Sequence, residues 1–203
     1  LVLVGNNLEA DFCQNSILEK RPDLHLLFGF QNSAGHREGA KAIAARLPVT
    51  KLFVGGLHNA ASETDLVAIQ KAFNPKDVKI TPVDNMYAYY LCHVAEVMPY
   101  GYMCYKVDGN LKKLQRRDIK TIMQATKECF AYLKSTGIEV MPKGEDKFYN
   151  GGIKTYAMFL LYRIMSKTIL GQLMVADHCK NGIKEMIYIH KKFEEWRLQH
   201  KSI

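Results

Sequence analysis

The chain changes texture once, near Asp84, and that break limits what it can fold into. Before it, short apolar runs alternate with helix-period patterns. After it, almost no strand signal is left and helical periodicity continues to the C-terminus. This order predicts an α/β segment followed by an all-α segment, as two domains covering 1–84 and 85–203. At 203 residues and 48% apolar, the chain can bury one good core or two small ones.

Residues 1–4, Leu1-Val2-Leu3-Val4, read as a buried strand that ends in the turn Gly5-Asn6-Asn7. Unbroken apolar character suits the interior of a parallel sheet, with neighbours on both sides. The expectation is therefore that the chain is the later part of a larger protein. A helix is expected over 8–19, a breaker at Arg21-Pro22-Asp23, a strand over 24–30 and a polar loop over 31–39. Segments 42–46 and 52–55 flank Pro48 and suggest an antiparallel hairpin. Ser62 and Asp65 resemble a capping box. The helix it opens should carry Leu66, Ile69 and Phe73 toward the core. Asn74-Pro75 stops it, and 78–83 is one more strand.

Residues 85–107 should form a helix that is apolar nearly all round and hence buried, kinked by Pro99 with Gly101. Over 118–135, Ile119, Ile122, Met123, Phe130 and Leu133 share one face, and Gly137 closes the helix as its C′ residue. Another helix runs through Tyr156, Phe159, Leu160 and Ile164. A last one spans about 184–200, with apolar Met186, Ile187, Ile189, Phe193 and Trp196. Residues 153–175 are nearly as apolar as 85–107. One helical layer cannot cover both, so pairing with a second copy is expected. A membrane is not expected, because His93, Glu96, Lys154, Arg163 and Lys167 interrupt these stretches.

Charge and cysteine content narrow the function classes. Lys+Arg 28 against Asp+Glu 20 gives +8. The densest basic group is Lys112, Lys113, Arg116, Arg117 and Lys120, without interleaved aromatics or a Gly-rich loop. It reads as the solvated start of a helix, and no nucleic-acid partner is expected. The cysteines, Cys13, Cys92, Cys104, Cys129 and Cys179, are odd in number and form no C-x-x-C pair. Cys92, Cys104 and Cys129 lie in strongly apolar stretches and read as buried free thiols of a reducing, cytoplasmic compartment, with neither a disulfide framework nor a metal site.

Several short motifs then appear in a telling order. They are the run 1–7 with its Asn-containing turn, Leu26-Leu27-Phe28-Gly29, Gly35-His36-Arg37-Glu38-Gly39, and Leu52-Phe53-Val54-Gly55. Asp84-Asn85-Met86, Pro99 and Gly109-Asn110-Leu111 follow. In order and spacing this set resembles the ketopantoate reductases (2-dehydropantoate 2-reductases). The resemblance covers residues 1 to about 115; beyond that only helical character matches. It implies that 1–84 is the remainder of an NADP-binding Rossmann domain. Residues 85–203 would be the helical domain that closes the substrate cleft and makes a homodimer. The Gly-x-Gly-x-x-Gly turn would lie upstream of Leu1, with roughly 90 residues absent at about 30 per βαβ unit. The implied activity of the full-length protein is NADP-dependent reduction of a small 2-keto acid or related carbonyl.

Asn6 is the first residue the resemblance singles out, because the family keeps an Asn here beside nicotinamide and substrate. Independently, carboxyl ends of parallel strands are where ligands bind in such sheets. Asn6 is equally suited to be a plain turn residue. The family's catalytic Lys falls at Leu91, and no Lys occurs between Lys79 and Lys106. That departure leaves open a catalytically inactive NADP-binding or regulatory homologue. His93 and Glu96 lie one turn apart on the same helix face. A protonated His93, its pKa raised by Glu96, would serve as general acid in place of the Lys. The alternative is a buried pair with a packing role. Asp177 matches by position the late acidic residue that binds the substrate hydroxyl in the family, or else it caps a helix. Ser166 is a weaker candidate of the same kind.

Overall fold

The computed structural model describes residues 1–45 and 49–200. It divides into two units, Leu1–Ser33 with Arg46–Leu91, and Ala34–Ala45 with Cys92–Ile203. The elements run β1 (Val2–Val4), α1 (Ala10–Lys20), β2 (Leu27–Gln31), β3 (Ala34–Glu38), β4 (Lys41–Ala45), β5 (Thr50–Gly55), α2 (Glu63–Lys71) and β6 (Val78–Pro82). They continue with α3 (Met86–Lys106), α4 (Arg116–Ser135), α5 (Gly152–Met165), α6 (Ile169–Gly171), α7 (Asp177–Asn181) and α8 (Ile183–Gln199). The fold is thus mixed α/β, with a small mixed sheet and several helices.

In the first unit the sheet order is β1-β2-β5-β6. β1 runs parallel to β2, β2 antiparallel to β5, and β5 parallel to β6. Leu27, Leu52 and Val54 form a core on which Val2, Leu66, Ile69, Val78 and Ile80 pack. α2 docks here because Ser62 caps it: the Oγ accepts the Asp65 N–H and donates to the Asp65 carboxylate. The first turns of α3 belong to this unit too. Tyr89 leans on Phe30 and Phe53, and the Tyr90 hydroxyl donates to the Gly29 carbonyl.

Several expectations need correcting here. Among the described residues β1 pairs with β2 alone and lies at one end of the sheet, with Val4 50% exposed. The expected polar loop over 31–39 contains strand β3, and β3 pairs with β4 rather than β4 with β5. β5 instead takes the place between β2 and β6, where Leu52 and Val54 are buried on the sheet. Arg46 and Pro48, part of the expected hairpin, lie outside the described residues. Phe73 is exposed, because α2 ends at Lys71 and the chain turns away before reaching it.

In the second unit, β3 and β4 pack against α7 and the π-helical turn Gln172–Ala176 that precedes it. Pro99 lies inside α3 without ending it. α3 is not buried all round: Tyr102 and Tyr105 are exposed near its C-terminal end. α4 opens with a capping box between Gln115 and Asp118, and the Asp118 carboxylate also accepts from Lys106 Nζ at 2.9 Å. Its predicted apolar face is buried throughout. At its end Gly137 takes φ +86°, Ile138 N donates to Leu133 O, and Gly137 N to Lys134 O, a Schellman closure. α5 behaves differently. Phe159 is its buried residue, whereas Ile153 (85%), Tyr156 and Ile164 face solvent. On α8, Met186, Ile189 and Trp196 are buried while Ile187 is exposed, and Trp196 stacks between Phe193 and His200.

All five cysteines are free; Cys92 and Cys104 are buried as expected, Cys129 is only half-buried, and Cys179 is buried as well. Among the described residues no single helix is long and apolar enough to cross a membrane. Gly152–Met165 and Ile169–Asn181 meet that measure only together, across an 85° bend.

Gly55 offers a test of the sheet. A Cβ there would stand 2.2 Å from the Val83 carbonyl oxygen, so the backbone itself must move. Gly55→Ala is expected to destabilise the protein by about 1–3 kcal/mol, as overpacking does. Urea denaturation measures this, and an unchanged midpoint would count against the strand spacing described.

Candidate functional site

The second unit holds a hydrogen-bonded chain of acids and phenols around α3. The Tyr149 hydroxyl donates to Glu96 Oε1 at 3.2 Å and lies 2.8 Å from the Tyr162 hydroxyl. Tyr162 stacks on Tyr100 with ring centres 5.2 Å apart. Glu145, in the 3-10 turn Glu145–Phe148, hydrogen-bonds Glu96 from another direction. Two carboxyls sharing a desolvated site cannot both ionise. Burial, and then the Glu145 charge, push Glu96 up to about 8, against the opposing pull of Tyr149. The pair therefore shares a proton at neutral pH. Burial also raises the Tyr149 and Tyr162 phenols.

The same environment governs two neighbours. The Cys92 thiol accepts the Met141 N–H at 3.4 Å, and burial pushes it up to about 12. A nucleophilic role for it would need a thiolate that this setting disfavours. His93 moves the other way. Burial, and then the positive charge of His178, push its imidazole down to about 4. The expected mechanism, in which Glu96 raises the His93 pKa, does not hold. Glu96 is itself protonated over the relevant range and has no charge to offer. The proton sits on the acid, and the histidine is neutral.

Asn6 belongs to the first unit, in the turn after β1 and half-buried. Asn7 makes the local turn there, its Oδ1 accepting the Glu9 N–H. Gly5 has φ +143° and open space where a Cβ would stand. Asp177 opens α7 and is bound on both oxygens. Oδ1 accepts from Gln172 Nε2 at 2.8 Å, and Oδ2 lies 3.1 Å from His36 Nδ1. His36 in turn meets Glu38 at 3.1 Å, so Asp177 anchors the β3–β4 hairpin. Its neighbour His178, not Asp177 itself, bears on His93. Ser166 is buried and its Oγ donates to the Arg163 carbonyl, a local role at the end of α5. Leu91, at the position of the family's Lys, is 1% exposed.

Glu145, Tyr149 and Tyr162 have no counterpart among the residues singled out from the sequence. Their only sequence signal is a cluster of acids and a Tyr beside Gly151-Gly152, between two helical patterns. No group of three or more His, Cys, Asp or Glu among the described residues could hold a metal ion. Comparison with family models, with curated proteins and with solved structures returns no match for this chain.

The two shifted groups work on stability in opposite directions. Glu96 keeps its proton in the folded protein up to about 8, whereas an unfolded chain releases it near 4.5. Its contribution is therefore complete below 4.5 and is lost as pH rises through about 8. His93 stays neutral down to about 4, against an ordinary 6.5, so its contribution is lost as pH falls through that window. Glu96→Gln, which mimics the protonated acid, is expected to flatten the loss of stability between pH 4.5 and 8. Denaturation midpoints across that range measure it, and a variant that keeps the wild-type slope would refute the shared proton.

Proposed function

We propose that the full-length protein is an NADP-dependent oxidoreductase of ketopantoate-reductase type, reducing a small 2-keto acid or related carbonyl. The observation that carries this reading is the ordered set of family-like motifs from Leu1 to Leu111. Residues 1–84 would be the later part of the Rossmann domain, and 85–203 the helical substrate and dimerisation domain. The parallel β1–β2 pair with Asn6 at its carboxyl end supports the first assignment. The open backbone at Gly5 suits close approach of a nicotinamide. NADPH, when bound, supplies the hydride. Asn6 would orient carboxamide and substrate through its amide. Glu96, protonated at neutral pH, would hold the proton that the reduced oxygen needs. The His93 imidazole, neutral, would no longer be that donor. Asp177 would remain the residue nearest in character to the family's hydroxyl ligand.

The test is to supply full-length protein with NADPH and a panel of 2-keto acids, following loss of the reduced-nicotinamide absorbance. Glu96→Gln is expected to lower kcat by about 10²–10⁴, as removal of a general acid does. Failure to bind NADPH at all would overturn the reading. A second reading is favoured by buried Leu91: an NADP-binding homologue without turnover. Tight NADPH binding with no hydride transfer to any carbonyl would decide for it.

The same reading includes a homodimer. On α5, Ile153, Leu160 and Ile164 recur at helical spacing and are all exposed. A second copy of the chain is the occupant that the family resemblance implies. Ile153→Glu with Ile164→Glu is expected to shift a dimer toward monomer in light scattering at micromolar concentration. A wild-type protein that is already monomeric there would refute it.

A further inference from the structure

A second candidate site lies on the other side of Tyr149, independent of the reductase reading. α4 and α5 flank a cleft of about 600 Å³, within the size range of small-ligand sites. Arg116, Lys120 and Lys127 line it from one stripe of α4. No carboxylate lines it, and none of these three cations has an ion-pair partner among the described residues. Unpaired like charges a helical turn apart cost stability, and an anion between them would relieve that cost. The lining also holds three aromatic rings, Tyr149, Tyr156 and Phe159, and the Arg116 guanidinium lies 5.6 Å from the Phe159 ring centre.

The spacing narrows the ligand. Arg116 and Lys127 are about 16 Å apart along the axis at 1.5 Å per residue, too far for one phosphate to bridge. Aromatic walls favour a planar ring, and guanidinium and ammonium groups favour phosphate oxygens. We propose that this cleft binds an elongated organic polyphosphate carrying a planar ring, of the nucleoside-triphosphate class. The ring lies against Tyr156 and Phe159, and the phosphates run along Arg116, Lys120 and Lys127. The first-turn amides of α5, which carries no acid there, add to the same field.

Calorimetric titration of the whole chain with ATP, and separately with inorganic tripolyphosphate, tests this. The expected result is saturable one-to-one binding of ATP, several-fold tighter than tripolyphosphate and weakened by added salt. Lys120→Gln with Lys127→Gln should weaken ATP binding by about tenfold or more, since each charge-assisted contact is worth about that much. Lys180→Gln with Lys184→Gln, exposed residues outside the cleft, should leave it unchanged. All four positions are at the surface, and circular dichroism checks that both variants fold. Absence of saturable ATP binding, or equal loss in both variants, would overturn the proposal. Equal affinity for tripolyphosphate would overturn the ring subsite, and tighter binding of a single-stranded oligonucleotide would assign the stripe to nucleic acid instead.

Discussion

Desolvation of one carboxyl, Glu96, organises the middle of the helical unit. An ionised acid at that place would need a cation; Glu96 meets a second acid and a phenol. A proton on Glu96 lets α3, the 3-10 turn and α5 meet through Glu96, Tyr149 and Tyr162 with one charge fewer than two ionised acids would bury. The same low-dielectric setting accounts for the protonated Cys92 and the neutral His93. These shifts share one cause, acting on groups of opposite sign.

α3 carries this arrangement because its sequence serves two environments in turn. Its first residues, Met86, Tyr89 and Tyr90, pack in the sheet unit, where Tyr90 closes a hydrogen bond to the β2 backbone. From Cys92 onward the polar residues His93 and Glu96 appear among apolar ones, and the helix belongs to the other unit. The capping devices at Ser62 and Gln115 and the Schellman end at Gly137 then set where the neighbouring helices start and stop.

What could be read from the sequence was what depends on near neighbours. The Ser62 cap, the buried face of α4 and the Gly137 stop rest on residues within a turn or two of one another. The β3–β4 hairpin was not legible, because Gly35-His36-Arg37-Glu38-Gly39 has no apolar alternation and is held partly by Asp177, far along the chain. The β1 run was legible as a strand, and among the described residues it pairs with β2. Candidate-site residues divide the same way. His93 and Glu96 stand out by helical spacing, whereas Glu145 and Tyr149 matter only because the fold brings them to Glu96 across about fifty residues. The direction of each pKa shift follows from that long-range company, which spacing alone does not encode.

Trp196 is the chain's sole tryptophan, and its indole lies flat between Phe193 and the His200 imidazole, 4.6 Å from the latter. Intrinsic fluorescence therefore watches one end of α8 and nothing in the sheet unit. A loss of order confined to the first unit would pass unseen in an emission scan. Apparent transitions followed by this indole alone thus describe the helical unit, and a far-ultraviolet probe is needed before they describe the whole chain.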